Sequence, residues 1–223
     1  MKKYVPALGG GVAADILQGL VKDLPLGNTL AALTGAVLDD LLKDRAQKAR
    51  TIFIEEIAKA ERPFTDVHEA DEFAAILYRY LDAARQGAAR LNLRLMAKIA
   101  KGQLEEEAPK ADEFLRYSNM IATVTREEIV YLATLHRHFA AAHGKDGIRV
   151  YQAVIDELTG RDRSRSEEVQ VTAAAVLRTG LVVPMAFGGI GISTSFSCRP
   201  APLLTRLISL ADFEEALREN EPA

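Results

Sequence analysis

Three of the four histidines fall within a short stretch of the chain, and histidine is the commonest metal ligand in proteins. His136 and His143 are seven residues apart, which places them on one face of a helix, and His138 lies on another face. A helical zinc site usually takes two histidines four residues apart together with an acidic residue. The single cysteine also leaves too few ligands for a structural zinc site. We therefore predict no metal site and no bound cofactor.

Cys198 and the serines before it are the candidates for a catalytic nucleophile. Ser193, Ser195 and Ser197 alternate along a predicted strand, and no Gly-x-Ser-x-Gly turn surrounds any of them. Cys198 ends the same apolar strand, where a buried thiol is usually unreactive. The glutamate pairs fall at surfaces or ends of predicted helices, where solvation accounts for them. The sequence thus predicts no catalytic residue, and we expect a protein that is not an enzyme.

Three cations form the strongest candidate for an anion or partner site in the first half of the chain. Arg94, Lys98 and Lys101 recur at steps of four and three on one predicted helix. In the predicted helix pairing they lie opposite residues 26–33, which contain no acid. We expect an exposed basic ridge at this position. The alternative is that the cations only complement the helix dipole at the C-terminal end of the helix and keep it soluble.

The helix that carries this ridge is predicted to be long. Residues 66–103 contain no proline, and their apolar side chains recur at steps of three and four. The same periodicity predicts a preceding helix over about residues 29–61, which Pro63 ends. Because the connection is so short, the two helices are expected to be antiparallel neighbours in a long helical hairpin.

The apolar stripe of the second long helix provides a candidate seam for self-association. Leu77, Leu91 and Leu95 lie on this stripe. A two-helix arm buries little core of its own, so we expect such a stripe to meet a second copy of the chain or another protein.

Composition changes after residue 160. Residues 1–160 carry the helical patterns, and residues 161–223 begin with a basic, polar connector and contain two predicted short strands, at 181–187 and 190–198. The predicted fold is therefore mainly α: a helical bundle that contains the long hairpin, followed by a small α+β module with one β-hairpin. An alternative boundary places the start of the module near residue 126.

The order of the last elements is a helix, the sequence Leu-Arg-Thr-Gly-Leu-Val, a hairpin and a final helix, which resembles the end of a winged-helix module. The resemblance covers about residues 126–220 and depends on element order. Winged helices often bind DNA with a basic, polar helix in the major groove. The residues that the resemblance makes candidates for nucleic-acid contacts are Arg161, Arg163, Arg165, Gln170 and Arg178. The corresponding helix begins with two acids and has alanines in its middle, which favours a protein-interaction or dimerisation module over direct reading of DNA.

The charge and the N-terminal residues limit the remaining function classes. A net charge of −3 argues against a protein that wraps nucleic acid over its whole surface. Residues 4–42 are rich in glycine, alanine and leucine, and beside the basic ridge they favour binding to an anionic membrane surface as one alternative. We find no signal peptide and no run long enough to span a membrane, and together with the single cysteine this favours a cytoplasmic protein.

The function that we predict from these observations is that of a non-enzymatic interaction, adaptor or regulatory protein. It is expected to act as a homo-oligomer or with a protein partner, through its long helices. The first alternative is a DNA-binding regulator that uses the C-terminal module, and the second is a peripheral membrane protein. No small-molecule substrate is indicated.

Overall fold

The computed structural model describes residues 35–63, 65–106, 108–142, 146–160, 163–185 and 197–221. Within these ranges the chain is mainly α-helical, with one two-stranded antiparallel sheet, so the predicted fold class is confirmed. In chain order the helices are α1 (Gly35–Ile57), α2 (Val67–Arg85), α3 (Arg90–Glu106), α4 (Ala111–Ile121), α5 (Arg126–Ala141), α6 (Gly147–Thr159), α7 (Ser166–Val176), α8 (Pro202–Leu210) and α9 (Phe213–Glu219). The strands are β1 (Val182–Pro184) and β2 (Cys198–Pro200).

Two compact units make up the chain, Met1–Lys48 and Ala49–Ala223. In the first unit the described residues form the beginning of α1, where Lys48 Nζ lies 2.6 Å from Asp44 Oδ2. Both side chains are exposed, and such a pair one helical turn apart contributes about 0.3–0.5 kcal/mol. The second unit contains the end of α1, the other described helices and the sheet.

The end of α1 and the helix α2 form an antiparallel hairpin. Tyr80 Oη donates a hydrogen bond of 2.8 Å to the carbonyl of Ala49. One turn later in α1, the Phe53 ring lies 4.7 Å from the Tyr80 ring and 5.7 Å from the Phe73 ring, which is nearly two turns earlier in α2. Residues later in α1 therefore contact residues earlier in α2, so the two helices run antiparallel. Helix α1 ends at Ile57, before the predicted end near residue 61, and α2 ends at Arg85.

A network around Glu69 holds the connection between these helices. The side chain of Asp66 caps α2 by accepting a 2.9 Å hydrogen bond from the backbone N–H of Glu69. The Glu69 carboxylate accepts hydrogen bonds from Arg62 Nη2 at 2.6 Å and from the Thr65 N–H at 2.9 Å. These two bonds, that of Arg62 first, lower the pKa of Glu69 to about 2. The hydrogen bonds of Asp66 and Glu69 thus help to orient the start of α2, in addition to its contacts with the core.

The predicted helix over residues 66–103 is wrong as a single element, because it is broken into α2 and α3. Gly87 adopts a φ of +98°, a left-handed conformation that a continuing α-helix does not allow and that glycine reaches most easily. The chain turns here, and the Ala88 N–H donates to the Ala83 carbonyl at 3.0 Å. Apolar periodicity hides the break, since Ala84, Ala88 and Leu91 are buried on both sides of it.

Helix α3 is the centre of the core. All ten residues from Leu91 to Ala100 are buried, including positions on every side of the helix. It contacts α2 and α4, and also α8 and α9 from the end of the described chain. Gly102 permits the close packing against α8, since a Cβ atom there would lie 2.4 Å from the carbonyl oxygen of Leu210. The core therefore crosses residue 160, where the sequence predicts a boundary between two parts.

Helices α5, α6 and α7 pack against one another, and α5 and α6 also contact β2. In the sheet Val182 is paired with Pro200, and Pro184 with Cys198. The second strand begins at Cys198, whereas the sequence predicts that it ends there. Residues 198–200 pair with β1, and the predicted strand residues 190–196 lie outside the described ranges. Among the helices that the structure describes, none combines the length and apolar character that crossing a bilayer requires.

Candidate functional site

The predicted basic ridge on α3 is a buried ion cluster, a name we use for Glu56, Arg94, Lys98, Glu215 and Glu219. Only 9% of Arg94 and 6% of Lys98 is exposed. Lys98 Nζ lies 2.5 Å from Glu215 Oε2 and 3.3 Å from Glu219 Oε2. Arg94 Nη1 lies 3.0 Å from Glu219 Oε2 and 3.6 Å from Glu56 Oε1. The exposure predicted for these two cations is wrong.

The charges of the cluster compensate one another, with Glu56, Arg94 and Lys98 buried and Glu215 and Glu219 exposed. Burial disfavours the charged ammonium of Lys98, but the hydrogen bond with Glu215 and the carboxylates of Glu56 and Glu219 outweigh it, so the pKa of Lys98 is raised. The predicted pairing treats residues 66–103 as one unbroken helix, which places Arg94 and Lys98 opposite residues 26–33 and away from Glu56. It also leaves out α9, whose Glu215 lies 117 residues after Lys98.

Lys101 is the third residue of the predicted ridge and lies nearer the surface. It is half-buried, and its Nζ is 3.3 Å from Glu105 Oε1, one helical turn later. A pair of this kind contributes at most about 1 kcal/mol. Lys101 alone therefore does not form an anion-binding ridge.

The predicted self-association seam is part of the core. Leu95 is fully buried, Leu91 is buried, and Leu77 is half-buried against the same core. These side chains have neighbours within the chain, since α3 is surrounded by helices of the second unit. The prediction that these leucines are available for contact with a second copy is wrong. It considered the packing of two helices only, whereas the core contains several others.

Arg178 is exposed, and its guanidinium bonds to groups within the protein. Its Nη2 donates to Glu128 Oε2 at 2.8 Å and to the Thr123 carbonyl at 3.1 Å, and its Nη1 also bonds Glu128. Glu128 belongs to the capping box at the start of α5, with Thr125. The hydrogen bond from Arg178 is the main cause that lowers the pKa of Glu128. This arginine therefore connects the end of α7 to the start of α5.

The other predicted nucleic-acid contacts have mixed outcomes. Arg165 and Gln170 are exposed, and Arg165 Nε lies 3.8 Å from Glu168 Oε2. Arg163 belongs to the short 3₁₀-helix before α7. Arg161 lies outside the described residues. Residues 4–34 of the predicted membrane-binding segment also lie outside them.

Helix α7 presents most of its length to solvent. Its only buried residues are Ala173 and Val176. Val171 is 69% exposed. Its exposed neighbours on the helix are Glu167, Glu168, Gln170 and Ala174. This face is acidic at its start and apolar or small afterwards.

A groove adjoins this face, between α5, α6 and α7, with a volume of about 280 Å³. We call it the α7 groove. Its half-buried apolar residues are Val130, Leu158 and Val169, and its exposed charged residues are Glu127, Arg165 and Glu168. Val171 lies one turn beyond Glu168, on the flank of the groove. An apolar floor with charges of both signs at its edge suits an amphipathic protein segment. Sequence reasoning missed it, because the three helices contribute only short, separate pieces.

The two described histidines of this stretch, His136 and His138, have different surroundings. His136 is half-buried, and burial lowers its pKa. His138 Nε2 lies 2.7 Å from Glu157 Oε2, and the same carboxylate accepts a hydrogen bond of 2.5 Å from Arg137. His143 lies outside the described residues. Within the described part of the chain, no three histidine, cysteine or acidic side chains converge as a metal site would require.

Cys198 is buried in the contact between the sheet and α5. Its Sγ lies 2.8 Å from Tyr131 Oη, and burial raises the pKa of the thiol to about 11. The thiol is therefore protonated at neutral pH, and reagents do not reach it. This environment matches the unreactive thiol that the sequence indicates.

No protein-family model, curated protein or solved structure matches this chain.

Proposed function

We propose that this chain is a non-enzymatic interaction protein, whose partner is a protein segment that binds across the exposed face of α7 and the α7 groove. The observation that carries the proposal is the exposure of Val171 beside this groove. An apolar side chain held in water next to a partly apolar groove gains free energy when a partner covers both, at about 25 cal/mol per Å² of apolar surface.

The chemistry of the groove defines the partner segment. About 280 Å³ is room for one large apolar side chain, which would contact Val130, Leu158 and Val169. Glu127 and Glu168 favour a cation in the segment, and Arg165 favours an acid. We therefore expect an amphipathic partner segment with one bulky apolar residue between charges of opposite sign.

Site-specific photocrosslinking tests this proposal in the full chain. p-Benzoylphenylalanine is introduced in place of Val171 and, as a matched control, in place of Tyr78, which is 65% exposed on α2. Cells of the source organism are irradiated, and the crosslinked partner peptide is sequenced by mass spectrometry. A second variant, Thr172→Arg, fills the groove from an exposed helix without touching the core.

The expected result is a discrete adduct from position 171 that is absent at position 78 and is lost in Thr172→Arg. The sequenced segment should contain a bulky apolar residue flanked by both charges. The proposal fails if position 171 captures nothing, if both positions capture the same proteins, or if the adduct survives the filled groove.

DNA binding through the same helices is the second candidate. It is supported by the order α5, α6, α7 and two-stranded sheet, which is the order that the winged-helix resemblance anticipates, and by the exposed side chains of Arg165 and Gln170. We place it second because Arg178 is engaged by Glu128, and α7 begins with exposed acids. Salt-dependent fluorescence anisotropy with duplex DNA tests it, and loss of binding in Arg165→Gln would support it.

A cytoplasmic location and assembly with further copies remain parts of the proposal. The buried, reduced Cys198 suits a reducing compartment. If copies associate, the face of α7 is a better surface than Leu77, Leu91 and Leu95, since Val171 is exposed. Light scattering of the parent protein and of Val171→Asp would then give different masses.

A further inference from the structure

A second pocket, separate from the α7 groove, lies between α5, β2 and α8 and has a volume of about 250 Å³. Three of its lining residues come from one face of α5, at positions 136, 139 and 140, where successive turns align. The others come from β2 and from the first turns of α8. The lining residues are His136, Phe139, Ala140, Arg199, Pro200 and Thr205.

The polar groups in this pocket are suited to an anion. None of the described residues that line it is acidic. Arg199 is exposed, and within the described ranges no carboxylate lies at ion-pair distance from its guanidinium, in contrast to Arg178 and Arg206. An arginine without a carboxylate partner retains the planar set of donors that binds phosphate in a bidentate manner.

His136 and Thr205 supply two further groups. Burial lowers the pKa of His136, so at neutral pH the ring is mostly uncharged and carries one N–H donor and one acceptor nitrogen. Thr205 carries a hydroxyl that rotates to donate. Phe139 and Pro200 form the apolar wall of the same pocket.

We propose that this pocket binds the phosphate group of a small organic phosphate. Arg199 would hold two phosphate oxygens, with the Thr205 hydroxyl and the His136 N–H as further donors, while the organic part packs on Phe139 and Pro200. About 250 Å³ is below the usual range of about 300–1,000 Å³ for drug-sized ligands. The ligand is therefore expected to be no larger than a single ring with its phosphate.

NMR titration of the full chain tests this inference, with phenyl phosphate as the probe. The histidine ring and threonine methyl signals are observed, and those of His136 and Thr205 are assigned by His136→Gln and Thr205→Val. Three proteins are compared: the parent, Arg199→Gln and Arg165→Gln. The last removes another exposed arginine, which lies at the α7 groove, and serves as the matched control.

The expected result is a saturable shift of the His136 and Thr205 signals by phenyl phosphate. Loss of the bidentate contact should weaken binding about tenfold or more in Arg199→Gln, while Arg165→Gln should leave it unchanged. Inorganic phosphate should bind more weakly than phenyl phosphate, because it makes no contact with Phe139 and Pro200.

Three outcomes would overturn the inference. The first is a linear, unsaturated shift, and the second is equal affinity in the parent and in Arg199→Gln. The third is a DNA duplex that shifts the same signals when phenyl phosphate does not, with an affinity that falls steeply with salt. That result would assign Arg199 to a nucleic-acid backbone instead of a small ligand.

Discussion

Lys98 Nζ lies 2.5 Å from Glu215 Oε2, and this ion pair joins the central helix α3 to the helix α9 near the end of the described chain. The lysine is buried, whereas the glutamate side chain is 48% exposed. Lys98 also compensates Glu56, whose side chain is 1% exposed. The stability of the second unit thus depends on a cation that sequence patterns assign to the surface.

Replacing Lys98 by methionine should destabilise the protein by about 3–5 kcal/mol, the range for breaking a buried ion pair from one side. The methionine fits the space of the lysine stem, but Glu56 loses one of its compensating charges inside the core. Urea unfolding, followed by circular dichroism, measures the change in the free energy of unfolding.

Lys101→Met is the control for this experiment, since its pair with Glu105 is partly exposed and should contribute only about 0–1 kcal/mol. Equal losses in the two variants would contradict the buried ion cluster and would support a solvated ridge.

Leu95→Ala should cost about 2–5 kcal/mol of stability without changing the mass of the particle in solution. Leu95 is fully buried, and its truncation leaves a cavity inside the chain. Urea unfolding measures the first effect, and size-exclusion chromatography with light scattering measures the second. Tyr78→Ala, at an exposed position of α2, is expected to change stability by less than about 0.5 kcal/mol. A change of oligomeric mass in Leu95→Ala with unchanged stability would restore the self-association seam.

Acid should destabilise the protein in a way that depends on Arg178. The pKa of Glu128 is lowered in the folded state, chiefly by the hydrogen bond with Arg178. In the unfolded chain its pKa returns to the ordinary value near 4.5, so the unfolded state binds the proton first as pH falls. The stabilisation is complete above that value and is lost as pH falls toward the folded-state pKa.

The measurement is the free energy of unfolding in urea between about pH 6 and pH 3, where glutamates titrate. Arg178→Gln should fall less steeply with acid than the parent, because Glu128 then has similar pKa values in both states. Glu69, held by Arg62, keeps contributing to the slope in both proteins. Parallel curves for the parent and Arg178→Gln would contradict the assigned role of this pair, and Arg165→Gln provides the curve for an arginine at the surface.

Sequence patterns within a segment predicted which parts of the chain are helical, but not which helices pack against each other. Thr125 with Glu128 forms a capping box at the start of α5, and most of the apolar stripe predicted over residues 66–103 is buried, including Phe73, Tyr80 and Leu95. Gly87 is the one residue that reveals the break, and its left-handed φ depends on a turn that periodicity does not encode. Arg94 and Lys98 read as surface residues, because burial of a cation becomes favourable only when distant carboxylates meet it.

The candidate sites were harder to predict than the fold for the same reason. Gln170 and Arg165, which the winged-helix resemblance makes candidates for nucleic-acid contacts, are exposed. The α7 groove and the pocket at Arg199 each combine side chains from three elements, so no spacing along the chain indicates them. The periodicity of the apolar residues correctly indicated a mainly helical fold, since this pattern repeats within each element.

The central position of α3 has a consequence for the order in which the protein folds. Its last neighbours, α8 and α9, are synthesised about a hundred residues after it. During synthesis the apolar surface of α3 is therefore not yet covered by α8 and α9. Arg94 and Lys98 are likewise not yet paired with Glu215 and Glu219. Contacts this far apart in sequence slow folding relative to bundles built from neighbouring helices. A nascent chain that stalls before residue 202 exposes this surface to aggregation, and chaperones are the expected protection during that interval.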